Sequence, residues 1–147
     1  MPTTVGTEDN ATDLVRNLLI LEHDAIAAYD TTIERLDSAE YRQQIESFRR
    51  DHEAHVQELG RIADSLGVEK PMEGDMKQWL TTGKVALADI AGDDAILKAM
   101  KSNEDDTVAA YQQALDNAVA DAELRPVIEQ GLADERRHRS WMETAGG

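Results

Sequence analysis

The chain contains no cysteine. That excludes disulfides, zinc–thiolate sites, iron–sulfur clusters and thiol catalysis. Proline occurs three times, glycine nine times, and aromatic residues make up 4% of the sequence. So few breakers and so few β-favouring side chains point to helix rather than sheet. Positive charge is scarce: Lys and Arg number 15 against 30 Asp and Glu, for a net charge of −15. A chain this acidic offers no basic groove to a phosphate backbone, so nucleic acid is not an expected partner. No apolar run reaches membrane-spanning length, and residues 1–12 lack the basic and apolar regions of a secretory signal. The resulting expectation is a soluble, cytoplasmic protein with no membrane partner. At 147 residues, a single domain with a real core is expected, led by a flexible segment over residues 1–11.

What remains is helical periodicity. The spacing predicts four long helices, at about Thr12–Leu36, Ala39–Leu66, Asp94–Val119 and Ala122–Met142. Their apolar residues recur at three-four spacing, the seam of a left-handed bundle. Ser38 and Asp121 are natural N-caps for the second and fourth helices, and Gly67 is a natural stop for the second. Helices one and two therefore form one tight antiparallel hairpin, and helices three and four another. The crossover between them, residues 67–93, is long enough to run the length of a bundle, which makes helices two and three parallel. Its stretch Met76–Ile90 reads as a short extra helix, with Trp79, Leu80 and Leu87 packing it onto the bundle.

The two hairpins resemble each other. Residues 22–29 read EHDAIAAY and residues 104–111 read EDDTVAAY. Asp51 to His55 align with Asp134 to His138, and Ala39-Glu40, Arg42 and Ile45-Glu46 with Ala122-Glu123, Arg125 and Ile128-Glu129. A nearly constant offset through so many matches marks an internal duplication.

Six ionisable groups fall on the seams where apolar residues belong: Glu22, His52, His55, Glu104, Glu135 and His138. Counted from the hairpin turns, each set lies ~20–25 Å along its helix at ~1.5 Å per residue, so all six share one level. Residues three apart share a helix face, so His52 and His55 converge, as do Glu135 and His138. Burying such a layer costs several kcal/mol or more unless something compensates. No Lys or Arg lies on the seams, whereas metal cations compensate naturally. Oxygen and nitrogen donors without sulfur suit iron or manganese, and also zinc. Tyr29 and Tyr111, seven residues past Glu22 and Glu104, read as core aromatics with hydrogen-bonded hydroxyls, or as electron donors or ligand-orienting groups. His23 and the Arg136-Arg137 pair are expected at the surface.

This constellation resembles the ferritin-like superfamily of carboxylate-bridged di-metal proteins, whose helices one and three each give a Glu and whose helices two and four each give E-x-x-H. Glu22, Glu104 and Glu135-x-x-His138 match, and the resemblance runs from about Thr12 to Met142. It is similar in particular to small ferritin-like domains of unknown function. The fold implied is all-α, a ferritin-like four-helix bundle of two similar hairpins. Helix two departs from the pattern with His52-x-x-His55. Glu135 is then the expected bridge, and a single metal or an asymmetric pair stands beside a symmetric di-iron centre. The activity implied is oxidation of Fe(II), or reduction of oxygen or peroxide, at one or two irons per chain. The alternative is a non-catalytic metal-binding or structural, stress-related bundle with a degenerate site. Such bundles also pair, which makes a homodimer an expectation of the resemblance.

Overall fold

The computed structural model describes residues 3–69 and 90–145. They form four helices: α1 (Ala11–Arg35), α2 (Ala39–Leu66), α3 (Asp93–Leu115) and α4 (Leu124–Ala145). This is the all-α four-helix bundle expected, with no strand among the described residues. The short crossover helix and its residues Trp79, Leu80 and Leu87 lie outside the described residues.

The helix ends follow local chemistry. Asn10 caps α1 by accepting from the Asp13 amide, and Ser38 caps α2 by accepting from that of Tyr41. Gly67 ends α2 in the left-handed region at φ 71°, where a side chain would be strained. Asp121 accepts from the amides of Glu123 and Leu124 at the start of α4. The third helix stops at Leu115, short of the expected Val119. Asn117 there turns its side chain back to the Val119 amide and to the carbonyls of Gly6 and Glu8, taking residues 116–120 into a turn.

The cross-links between helices give the topology. Asp93, opening α3, accepts from the backbone amides of Asp37 and Ser38 in the α1–α2 turn, so α2 and α3 start at the same end and run parallel. At the far end of α3, Gln113 donates to the carbonyls of Thr3 and Val5, so the segment before α1 lies along α3. The α1–α2 and α3–α4 hairpins pack with α1 beside α3 and α2 beside α4.

The core is split in two. One apolar cluster, including Leu14, Leu18, Leu59, Ile62, Leu124 and Ile128, fills one end. A second, including Leu36, Ile45, Phe48, Leu97, Met100 and Met142, fills the other. Between them lies a buried polar layer. Within the stripes, Ile26, Ile33 and Val108 are only half-buried, while Leu14, Ala25 and Ala28 in α1 and Thr107 and Ala110 in α3 take the interior. Each helix touches two neighbours, so the buried stripe is wider than a strict two-position seam.

Candidate metal centre

Every one of the six seam residues is in that layer: Glu22, His52, Glu135 and His138 are fully buried, Glu104 is 1% exposed and His55 4%. Their ligand-capable atoms form two groups, Glu22–His52–His55–Glu135 and His52–Glu104–Glu135–His138, each with its atoms within 4.8 Å of one another. His52 and Glu135 belong to both. These are the residues the alignment of the repeats pairs with each other, so the exchange of glutamate for histidine sits on the pseudo-two-fold axis.

Around this centre the two hairpins brace each other reciprocally. Tyr29 of α1 donates its hydroxyl proton to Glu104 of α3, and Tyr111 of α3 donates to Glu22 of α1. Both tyrosines are buried, and burial with the neighbouring carboxylates pushes their pKa well above the ordinary value, so they stay donors. Asp51 of α2 meets Nε2 of His138 in α4 at 2.8 Å, and Asp134 of α4 meets Nε2 of His55 in α2 at 2.7 Å. A carboxylate only accepts, so each Nε2 carries the proton and each Nδ1 turns inward. A carboxylate behind an imidazole is the arrangement that orients histidine ligands of metals.

The inner atoms are not equally engaged. His52 Nδ1 lies 2.6 Å from Glu22 Oε2, and His55 Nδ1 lies 3.1 Å from Glu22 Oε1. In contrast, His52 Nε2 and both carboxyl oxygens of Glu135 are buried with no hydrogen-bond partner. Those three atoms lie where the two groups overlap. Buried polar atoms left this way are costly, and a cation is a partner that satisfies all three together. The chemistry of the donor set agrees, since it is mixed imidazole and carboxylate.

Electrostatics describes how the layer holds together without a cation. Burial opposes the charge on Glu22, but His52 and His55 outweigh it and hold the carboxyl far below its usual range. Burial also works against the charge on Glu104, yet Glu135 and His52 bring it down to about 2. Burial would lower His52, but Glu22 and Glu104 raise it to about 10. Glu135 is pushed well above the usual carboxylate range, first by burial and then by the carboxylates of Glu104 and Glu22. The middle of the layer thus favours protons at His52 and Glu135.

Sequence reasoning found the six inner groups but not the outer pair. The sequence marks Asp51 only as part of the repeat, and in the structure it backs His138 from outside the layer. Asp134 was recognised only as part of the repeat. The available signal was an aspartate four residues before a histidine in both hairpins, Asp51/His55 and Asp134/His138. That each aspartate serves the other hairpin's histidine is a tertiary fact. A groove of about 610 Å³ between α2 and α4 reaches Asp51, His55 and Asp134 from the surface. His23 is half-buried and belongs to neither group, and Arg136 and Arg137 are exposed.

Residues 10–117 match the family described as "Domain of unknown function (DUF2383)". That stretch contains Glu22, His52, His55 and Glu104 and ends before α4. No curated protein matches the chain, and no solved structure does.

Proposed function

We propose that this chain, which belongs to the DUF2383 family, binds a transition-metal cation, iron foremost, in the Glu/His layer at the middle of the bundle. One observation carries the reading: His52 Nε2 and both oxygens of Glu135 are buried without partners at the point shared by two four-residue groups of ligand type. Glu22, His52, His55, Glu104, Glu135 and His138 are the residues available to hold the metal. Asp51 and Asp134 keep the outward nitrogens of His138 and His55 protonated and turn the inward nitrogens toward the layer. Tyr29 and Tyr111 fix the carboxylates of Glu104 and Glu22 by hydrogen bonds. The two apolar clusters exclude water from either end.

Iron held by such donors supplies one-electron chemistry toward oxygen or peroxide, and Fe(II) oxidation is the activity we assign to the site. The donor set suits either metal, and the resemblance to ferritin-like proteins supports iron over zinc.

The test is elemental analysis after anaerobic Fe(II) loading and desalting. Wild-type protein is expected to retain one or two irons per chain, and Glu135→Ala/His138→Ala to retain less than a tenth of that. Loss of iron from wild type, with manganese and zinc also failing to bind, would leave a structural bundle. For the activity, oxygen or peroxide consumption on repeated Fe(II) addition is expected to continue past one equivalent. Retained iron with no consumption would make the site a holding site without turnover.

A further inference from the structure

The six inner groups are nearly symmetric by position but not by engagement, and the difference selects one half of the layer. We infer that the first metal ion enters the half formed by His52 Nε2, Glu104, Glu135 and His138 Nδ1, and that the Glu22–His55 half is closed by hydrogen bonds to the imidazoles, so that the centre is mononuclear. This rests on the metal-binding reading above and sharpens it.

Separations between the candidate ligand atoms carry the inference. Two ligands on one tetrahedral cation with bonds of ~2.0–2.1 Å stand about 3.3–3.4 Å apart. In the Glu104 half, His52 Nε2 is 3.7 Å from Glu104 Oε1, and His138 Nδ1 is 3.7 Å from Glu135 Oε2. Those gaps are near ligand spacing and too long for hydrogen bonds. In the Glu22 half, Glu135 Oε1 likewise stands 3.4 and 3.6 Å from His52 Nδ1 and His55 Nδ1, but Glu22 itself holds those two nitrogens at 2.6 and 3.1 Å, which are hydrogen-bond distances. A cation there must break both. His55 has each ring nitrogen on a carboxylate, Glu22 and Asp134. His138 has one on Asp51, and its Nδ1 has only a 3.4 Å contact with a tyrosine hydroxyl whose proton goes to Glu104.

The shared residues then decide how many ions fit. Glu135 has two free oxygens, one for each half. A neutral imidazole has a single lone pair, and His52 keeps its Nδ1 proton on Glu22. With glutamate at this position, as the repeat has at Glu135, each half would receive a carboxylate oxygen instead.

A second, independent asymmetry points the same way. The repeat aligns Phe48 with Gly131. The Phe48 ring stacks on His138 with centroids 4.2 Å apart, holding that imidazole, whereas His55 borders the groove between α2 and α4.

The experiment uses the full chain labelled with ¹⁵N-histidine and titrated with Zn(II), with zinc per chain measured after desalting. Long-range ¹H–¹⁵N spectra distinguish ring nitrogens that carry a proton, a free lone pair or a metal, and His23→Gln, His55→Gln and His138→Gln assign the resonances of the four histidines. The expected result is one zinc per chain, with metal-type shifts at His52 Nε2 and His138 Nδ1 and both nitrogens of His55 still protonated. In His52→Glu, stoichiometry is expected to rise from one to two. Two zinc ions per wild-type chain, or one ion with metal-type shifts at His52 Nδ1 or His55 Nδ1, would overturn the inference while leaving the metal-binding reading intact. No zinc, iron or manganese retained by wild type would sink the metal-binding reading, and this inference with it. If His52→Glu fails to fold, the wild-type spectra still decide.

Discussion

Gly131 lies inside α4, where glycine ordinarily costs ~0.5–1 kcal/mol against alanine. It is buried against Tyr111, and a Cβ there would collide with the Tyr111 ring. Overpacking a filled core costs ~1–3 kcal/mol, so the steric term outweighs the gain in helix propensity. Gly131→Ala is therefore expected to destabilise the protein by ~1–2 kcal/mol in urea unfolding and to displace the Tyr111 hydroxyl from Glu22. A stabilised variant would show that the ring has room to move. Where Gly131 admits Tyr111, its repeat partner Phe48 fills space and stacks on His138. A duplicated hairpin has thus been made unequal by two exchanges one turn apart, Phe48/Gly131 and His52/Glu135. Both were visible in the alignment, but their effects on the neighbouring rings were not.

Among the elements, the hairpin turn and the start of α3 depend on each other. Gly92, at φ 92°, offers no side-chain cap to α3. Asp93 follows it and turns its carboxylate outward, to the amides of Asp37 and Ser38 at 2.8 and 2.9 Å. It thereby places an acidic group in the first turn of α3, where the helix dipole favours it, and pins the α1–α2 turn. Asp93→Ala is expected to cost ~1–2 kcal/mol by chemical denaturation, with the six inner groups keeping their separations because Glu22 lies about four helical turns from the pin. An unchanged midpoint would mean that water replaces the carboxylate without loss. The opposite end is tied by Gln113 and Asn117 to the carbonyls of residues 3, 5, 6 and 8, so the lead-in segment is part of the packing there.

For the whole molecule, the polar layer couples stability to protons and to metal. Without a cation, burial and the neighbouring carboxylates raise the folded pKa of Glu135, and Glu22 and Glu104 raise that of His52 to about 10. The sign follows: a raised folded pKa gives stability that is present below the unfolded value and lost as pH rises through the folded value. The proton on His52 therefore stabilises the metal-free protein most below its ordinary pKa of 6.5, and that contribution disappears toward pH 10. A cation competes for those same positions, so its apparent affinity rises with pH, by about tenfold per unit for each proton displaced. A metal at 100 times its dissociation constant adds about 2.7 kcal/mol to stability. The rise in Tm on adding Zn(II) or anaerobic Fe(II) is accordingly expected to be several degrees at pH 8 and near zero at pH 5. A rise independent of pH would mean that the metal binds elsewhere on this acidic surface.

The sequence by itself determined the four helices, the cap at Ser38, the stop at Gly67, and the six ionisable residues that enter the core. These follow from residue type and from a period of about 3.6, both local properties of the chain. The duplication also placed all six at one level, because equal distances along helices joined by tight turns give equal heights. Tertiary structure decided the rest. The end of α3 at Leu115 depends on Asn117 reaching residues far away in sequence. The pairings Tyr29–Glu104, Tyr111–Glu22, Asp51–His138 and Asp134–His55 all cross between hairpins. Periodicity fixes which face of a helix a residue occupies but not which neighbouring helix that face meets. For the same reason, the inequality of the two halves of the layer, set by which nitrogen of His52 meets Glu22, became legible only when all four helices were packed.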